Sequence, residues 1–262
     1  MIGAATPAPA TPLGELSYFF PAHNEAANLR GLVEEALTTL PGLAETFEIV
    51  IVDDGSKDET PRIADELAAA HPQVRAVHHP TNLGYGAALR SGFAAARFAN
   101  LALTDGDRQF KVADLGRLIA RLQADDVDAV VGYRIQRADP LVRTVYARLY
   151  RLANRIFFGL TIRDVDCACK LFRRASLEGT NVESGGAFFS AELLIKLRAR
   201  GRRIAEVGVP HYPRTAGSPT GARPQVVLRA VRDFWALRLR LWAAPRRALG
   251  RGTPILGAAP KG

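Results

Sequence analysis

Apolar runs and helical patterns alternate along the first half of the chain. Five apolar runs have the length of buried strands: residues 16–20, 47–52, 74–78, 101–104 and 128–131. Between them, apolar residues recur at helical spacing over four segments: 28–40, 61–70, 87–98 and 115–123. Strands that alternate with helices predict a mostly parallel sheet covered by helices on both faces. We therefore expect an α/β fold.

The second half is less regular, and its patterns predict the domain boundaries. Helical spacing returns over 141–158, 189–200 and 225–242, with strand-like runs at 170–172 and 204–209. Pro, Gly and Ser dominate the loop over 210–224. We expect a flexible lead over 1–13, one domain over 14–220, a basic amphipathic helix over 221–243 and a flexible tail over 244–262.

The charge of the chain limits its partners. The 262 residues carry a net charge of +9, and a basic chain can meet nucleic acid, an anionic membrane or phosphorylated substrates.

Cys167 and Cys169 lie one residue apart, which is typical of free thiols in a reducing cytosol. Residues 1–13 lack the features of a signal peptide, and no uncharged apolar run approaches the length of a membrane span. We expect a cytoplasmic protein, soluble or peripheral to a membrane.

The last helical pattern combines an apolar stripe with arginines. The stripe consists of Val227, Val231, Phe234, Leu237 and Leu241, and arginines surround it. Such a helix either lies on a membrane surface or packs against its own domain. The pattern leaves both interpretations open.

One acidic motif directly follows an apolar run. Asp105 and Asp107 flank Gly106 at the predicted end of the strand over 101–104, where open α/β sheets bind their ligands. Carboxylate oxygens suit Mg²⁺ or Mn²⁺, and these ions usually complete their coordination with substrate phosphates. The motif therefore indicates a site for a metal-bound diphosphate, although alone it also fits an ordinary turn.

Two more acidic motifs follow earlier strands. The segment from Pro21 to Glu25 follows the first strand, and Asp53 and Asp54 follow the second. Because parallel strands end at one edge of their sheet, all three motifs should face one crevice. Carboxylates there can accept hydrogen bonds from a nucleobase or a ribose hydroxyl. Each motif alone could be a turn or helix cap, but three together are hard to attribute to turn chemistry.

The ordered series of motifs resembles the inverting GT-A-fold glycosyltransferases of family 2. The segments PAHNE, VDDGS, NLGYG and TDGDRQF carry this resemblance. More narrowly, the chain is similar to dolichyl- or polyprenyl-phosphate sugar synthases. That similarity rests on the segment over 132–137, Asp164 ahead of the run over 170–173, Glu192, the pair over 206–207 and the loop over 214–218. It covers residues 16–220.

The resemblance implies a GT-A, Rossmann-like fold and the transfer of a hexose to a polyprenyl or dolichyl phosphate at the cytoplasmic face of a membrane. Mannose is the favoured sugar, and GDP-mannose and UDP-glucose are the candidate donors. It implies that Asp105 and Asp107 bind Mg²⁺ or Mn²⁺ with Gln109 as a further ligand, and that Arg214 clamps the diphosphate; the catalytic set is Asp105, Asp107 and Arg214. The nucleotide contacts carried over are Pro21, His23, Glu25, Asp53, Asp54 and Asp105. The acceptor contacts carried over are Arg134, Arg137, Arg173 and Asp164.

The chain departs from the family pattern at several positions. His23 replaces a usual tyrosine, Tyr85 stands where a lysine is frequent, and Ser218 is followed by proline rather than by a basic residue. Cys167 and Cys169 occupy a stretch that often reads Gly-Phe. The substitution at His23 bears on which nucleotide is bound, and the cysteines bear on the acceptor pocket.

Three other functions fit parts of the sequence. The same fold could use a saccharide or metabolite hydroxyl as acceptor, with Asp164 as general base. A dinucleotide-binding oxidoreductase would need a glycine at Leu89. A nucleic-acid-binding protein would place acidic motifs against phosphates, which they repel. We expect no nucleic-acid partner.

Overall fold

The computed structural model describes residues 11–135, 141–214, 224–243 and 249–256. The strands are β1 (Leu13–Ala22), β2 (Ala44–Asp53), β3 (Val74–His78), β4 (Asn100–Leu103), β5 (Ala129–Arg134), β6 (Lys170–Arg173), β7 (Asn181–Val182), β8 (Ile204–Val209) and β9 (Thr253–Pro254). The α-helices are α1 (Ala26–Thr39), α2 (Thr60–Ala70), α3 (Tyr85–Ala95), α4 (Leu115–Asp125), α5 (Leu141–Phe158), α6 (Arg174–Leu177), α7 (Phe189–Ala199) and α8 (Pro224–Ala243).

Seven strands form the central sheet in the order β3-β2-β1-β4-β6-β5-β8. All of its pairings are parallel except those of β6, which runs antiparallel to both β4 and β5. The apolar runs that predicted strands form this sheet, since residues such as Phe19, Val50 and Leu101 are fully buried. The prediction of a mostly parallel α/β sheet with flanking helices is confirmed.

Helix α3 packs closely against the middle of the sheet. The ring of Phe93 contacts Phe19 edge-on, with 4.8 Å between the ring centroids, and also contacts Phe172. A Cβ atom at Gly92 would lie 2.2 Å from the Phe19 ring, so only glycine permits this approach. The packing fixes the position of α3, whose first residue, Tyr85, reaches the crevice described below.

Helix α8 packs against α5 and the loop before α7. Phe234 is buried and contacts Phe158 and Phe188, and the Ser184 hydroxyl donates a hydrogen bond to Asp233 at 3.0 Å. None of the helices in the described part of the chain has a stretch that could cross a membrane.

The predicted flexible tail over 244–262 needs a correction for its described part. Strand β9 pairs antiparallel with β7, and Ile255 is completely buried. The buried Lys196 ammonium donates a hydrogen bond to the Arg251 carbonyl at 2.8 Å. Residues 251–255 are therefore held against the domain.

Candidate active site

The ends of β1, β2 and β4 bring the three acidic motifs to one edge of the sheet, which we call the carboxyl edge. Ala22 pairs with Asp53 in the sheet register, and the Asp54 amide donates to the Ala22 carbonyl at 2.9 Å. A Cβ atom at Gly106 would lie 2.7 Å from the Pro21 carbonyl oxygen, so the Asp105–Asp107 loop sits directly on the first motif. The three motifs therefore lie side by side at the carboxyl edge, around the space that we call the crevice.

The two carboxylates of the third motif have different partners. The Tyr85 hydroxyl donates to Oδ1 of Asp105 at 3.0 Å. Asp107 is buried, accepts the Gln109 amide at 3.0 Å on Oδ1 and accepts Arg214 at 2.6 Å on Oδ2. Burial and the neighbouring Asp107 raise the pKa of Asp105 from 3.8 to about 7. Lys170 and Arg134 oppose part of this increase, but the effects of burial and of Asp107 are larger, so Asp105 favours binding of a proton or a cation.

This donor set fits a divalent cation that binds together with a diphosphate. Within the described ranges, no three His, Cys, Asp or Glu side chains converge as a ready-made metal site. Two carboxylates leave most coordination positions to water and substrate oxygens, as Mg²⁺ and Mn²⁺ sites in nucleotide enzymes do. The Gln109 side-chain amide donates to the Tyr212 carbonyl at 3.3 Å. Its role as a further metal ligand stays a prediction.

Metal binding should change how stability depends on pH. The pKa of Asp105 is about 7 in the folded protein against 3.8 ordinarily, so the folded state binds more protons than the unfolded state between these values. Without metal, the free energy of unfolding should fall as pH rises across this interval. Mn²⁺ should therefore raise the melting temperature more at about pH 8 than at about pH 5.5, because it neutralises the carboxylate only once that group is ionised.

Scanning fluorimetry with Mn²⁺ or EDTA at both pH values tests this prediction. In Asp105→Asn, which has no carboxyl group to ionise, the difference between the two pH values should disappear. An equal Mn²⁺ effect at both pH values in the wild type would contradict it.

Arg214 joins the first and third motifs. Its Nη1 lies 3.3 Å from Glu25 Oε1, and its Nη2 lies 2.6 Å from Asp107 Oδ2. The side chain of Arg214 is only 23% exposed. Burial raises the pKa of Glu25, although Asn28 and Arg214 oppose that change. The guanidinium therefore bridges Glu25, a predicted nucleotide contact, and Asp107, a predicted metal ligand.

The predicted nucleotide contacts lie along the same crevice. His23 Nδ1 is 2.9 Å from the Asp54 carbonyl oxygen, and Pro21 pairs with Val52 in the sheet. Asp53 accepts the Ser56 amide at 3.0 Å and lies 3.0 Å from His78 Nδ1. Direct contacts of Pro21, His23, Glu25 and Asp53 with a nucleotide stay predictions.

Asp54 has a different place from the predicted one. Its carboxylate is buried and accepts the amides of Leu83 and Gly84 at 2.9 Å each, and His79 Nδ1 lies 2.7 Å from it. Since three donors occupy its oxygens, Asp54 holds the loop before α3 rather than facing the crevice. His79 was not among the predicted site residues, because nothing in the local sequence pattern connects it with Asp54.

The predicted acceptor residues are divided between two edges of the sheet. Arg134, at the end of β5, donates twice to Asp164, at 2.7 Å and 2.9 Å. Arg137 lies outside the described residues. Arg173 pairs with Asn100 at the start of β4 and contacts Asp126 at 3.0 Å. Because β6 is antiparallel, Arg173 lies at the edge opposite the crevice, and its assignment to the acceptor site was wrong.

The reversed direction of β6 places Lys170 near the site instead. Lys170 pairs with Leu103, two residues before Asp105, and its side chain is buried. The ammonium donates to the Cys167 carbonyl and lies 3.4 Å from the Ser190 hydroxyl. Burial lowers the pKa of Lys170, while nearby groups including Cys167, Asp166 and Asp105 oppose this. A lysine inside an apolar run was the available signal for this residue.

Residues 17–180, more than half of the chain, match the family described as Glycosyl transferase family 2. The chain belongs to this family. Among its relatives, Glycosyltransferase AglD of Haloferax volcanii is 36% identical over 245 residues, which cover 89% of this chain and 39% of AglD. The dolichyl-phosphate beta-glucosyltransferase ALG5D of Trichomonas vaginalis is 31% identical over 74% of this chain and 64% of that protein. The chain thus spans between about two fifths and two thirds of these relatives' lengths.

One further relative and one solved structure are also similar to the chain. The undecaprenyl-phosphate 4-deoxy-4-formamido-L-arabinose transferase of Pseudomonas aeruginosa is 32% identical over 79% of this chain and 60% of that protein. Glucosyl-3-phosphoglycerate synthase from Mycobacterium tuberculosis, solved with Mn²⁺, UDP and glucosyl-3-phosphoglycerate, superposes with a TM-score of 0.62 at 19% identity, covering 90% of this chain and 80% of that one. This superposition confirms the predicted GT-A fold.

Proposed function

We propose that this chain is a metal-dependent, inverting glycosyltransferase that moves a hexose from a nucleotide-sugar to a polyprenyl phosphate at the cytoplasmic face of a membrane. The observation that carries the proposal is the meeting of Asp105, Asp107, Glu25 and Arg214 at the carboxyl edge. Two relatives are named for transfer to dolichyl or undecaprenyl phosphate, which supports a lipid phosphate as acceptor. One of them is named as a glucosyltransferase, which supports glucose against the favoured mannose.

The residues at the carboxyl edge would act on the leaving group, which is the diphosphate of the donor. A divalent cation held by Asp105 and Asp107 would neutralise charge on the departing diphosphate. Arg214, which pairs with Asp107 in the free protein, can exchange this carboxylate for a diphosphate oxygen and keep its charge at the same place. Glu25 keeps the guanidinium anchored on its other side. These residues therefore stabilise the charge that develops as the sugar leaves.

The acceptor side favours a nucleophile that is already an anion. Asp164, the candidate base for a hydroxyl acceptor, is buried and accepts both hydrogen bonds of Arg134. A carboxylate held by a guanidinium is a poor proton acceptor, because the ion pair stabilises its charged form. A phosphate monoester needs little deprotonation at neutral pH, so it can attack without such a base. Arg134, at the end of β5, would supply a positive charge for the acceptor phosphate.

An acceptor comparison tests the proposal. Purified protein with Mn²⁺ receives UDP-glucose or GDP-mannose together with polyprenyl phosphate, a soluble sugar or 3-phosphoglycerate. Transfer to polyprenyl phosphate, abolished by EDTA, is the expected result. Transfer only to a soluble acceptor would support the alternative acceptor class on the same fold, and no transfer from either donor would reject both.

An apolar surface next to the domain supports the membrane location. Helices α5 and α8 leave large apolar side chains exposed, which we call the α5–α8 surface: Leu149, Leu152, Ile156, Phe157, Val227, Leu228, Val231, Trp235, Leu239 and Trp242. Trp242 is 77% exposed, and arginines such as Arg232 and Arg238 lie among these residues. Phe234 and Leu237 pack against the domain, while the other apolar residues of α8 face outward, and this exposure supports the membrane-surface interpretation for the rest of the helix.

The protein should sediment with anionic vesicles through the α5–α8 surface. Each arginine near an anionic membrane contributes about 1 kcal/mol to the free energy of membrane binding. Apolar side chains that insert into the membrane add to this binding energy. Replacing Leu239 and Trp242 together with aspartate should reduce the vesicle-bound fraction about ten-fold at low salt. The matched control replaces Ala69 and Ala70 with aspartate, two exposed positions on α2 that receive the same added charge. Equal sedimentation of the double variant and the control would count against this surface.

A further inference from the structure

The Tyr85 side chain makes a contact that the family pattern does not predict. Its hydroxyl donates to Asp105 Oδ1 at 3.0 Å, and within the described residues this is the only hydrogen bond that the Asp105 carboxylate accepts. Resemblance had suggested a lysine at this position, which would carry a charge. The phenol instead holds one carboxylate oxygen without adding positive charge, and leaves Oδ2 available.

The backbone around Tyr85 is fixed on both sides. Immediately before it, the Leu83 and Gly84 amides donate to Asp54. Immediately after it, Gly86 packs so closely on the turn at Gly185 that a Cβ atom would lie 2.7 Å from the Gly185 carbonyl carbon. A short side chain at Asp54 and a glycine at residue 86 thus determine where the phenol can reach. The hydrogen bonds of Asp54 therefore fix the position of Tyr85 as well as the loop before α3.

The position of Tyr85 bears directly on metal binding. Asp105 lies at the end of β4, and its carboxylate could otherwise rotate away from Asp107. A hydrogen-bonded partner that orients a ligand carboxylate typically changes metal affinity by about ten- to a hundred-fold. We propose that Tyr85 is a positioning residue that fixes Asp105 for the divalent cation. This inference rests on the metal-dependent function proposed above.

A matched hydroxyl deletion separates this role from ordinary packing. Tyr18 is fully buried, and its hydroxyl is 2.6 Å from the Thr104 hydroxyl, beside Asp105 but not on its carboxylate. Tyr85→Phe and Tyr18→Phe each remove one phenol hydrogen bond near the same strand end. Only the first removes the bond to a metal ligand.

The experiment measures Mn²⁺ binding by the electron paramagnetic resonance signal of free Mn²⁺, in the presence of UDP or GDP. Tyr85→Phe should bind Mn²⁺ about ten-fold more weakly than the wild type, and Tyr18→Phe should bind it equally well despite a lower melting temperature. In transfer assays, Tyr85→Phe should need about ten-fold more Mn²⁺ for half-maximal rate while kcat at saturating Mn²⁺ changes little.

The outcomes separate the two proposals. Unchanged Mn²⁺ affinity in Tyr85→Phe, or an equal loss in both variants, would overturn the role of Tyr85 and leave the proposed function standing. A wild-type protein that binds no Mn²⁺ with either nucleotide would overturn both. Mn²⁺ binding that follows the expected order, without sugar transfer by the wild type, would support Tyr85 and reject the proposed function.

Discussion

Asp107→Asn is expected to lower kcat/KM for sugar transfer about a thousand-fold, because the metal contributes several kcal/mol of charge stabilisation to the transition state. Asp107 is buried and carries two contacts at once, the Gln109 amide and the Arg214 guanidinium. An amide at this position keeps the volume of the side chain but removes its charge. Both the cation and Arg214 therefore lose a partner in one substitution.

Steady-state rates at saturating Mn²⁺ and donor check this expectation. The control is Asp125→Asn, which removes a carboxylate that pairs with Arg121 on the surface of α4. The control should retain the wild-type rate and circular dichroism spectrum. A rate for Asp107→Asn within a few-fold of the wild type would contradict the assignment of Asp107.

Arg214→Ala is the second substitution with a large expected effect. Removing one donor that is aimed at developing negative charge typically costs about a hundred- to a thousand-fold in kcat. We expect a loss in this range, because Arg214 is held over the carboxylates by Glu25 and Asp107. Arg214→Lys should recover part of the rate, since an ammonium restores the charge but cannot make two parallel hydrogen bonds.

The effect of Arg214 should appear mainly in kcat if the residue acts on the departing diphosphate. Arg203→Ala provides the comparison, because Arg203 is an exposed arginine that pairs with Asp126. Equal rates for Arg214→Ala and Arg203→Ala would contradict a role for Arg214 in the reaction. A loss confined to the KM of the donor would instead indicate ground-state binding.

The sequence predicted the parts of the site that depend on strand direction alone. Pro21, Asp53 and Asp105 follow apolar runs, and the ends of parallel strands meet at one edge. Their convergence therefore required no knowledge of side-chain contacts. The order of the motifs also identified the family, which the match over residues 17–180 confirms.

The position of Arg173 depends on the direction of strand β6. The apolar run over 170–172 predicts a strand, but the pattern of apolar residues does not encode the direction of that strand. Strand β6 lies antiparallel between β4 and β5, so its first residue, Lys170, lies near the site and its last lies at the opposite edge. Only the connection through the rest of the chain fixes that direction.

Helix ends and loop anchors depended on distant side chains. Helix α3 was predicted over 87–98 but ends at Ala95, because the Arg97 amide donates to Glu48 and the Phe98 amide to Ser17. Those partners lie on β1 and β2, far away in sequence. The contacts of Asp54 with His79 and of Tyr85 with Asp105 are of the same kind. Residue patterns along the chain do not reveal such pairs.

In the proposed mechanism, Asp105 and Asp107 hold a divalent cation that binds the diphosphate of the donor. Isothermal titration of UDP and of GDP into the protein, with Mn²⁺ or with EDTA, tests it most directly. We predict that one of the two nucleotides binds tightly only with Mn²⁺, and that Asp105→Asn abolishes the Mn²⁺-dependent part of the binding. Nucleotide binding of equal strength in EDTA, or unchanged by Asp105→Asn, would contradict the claim.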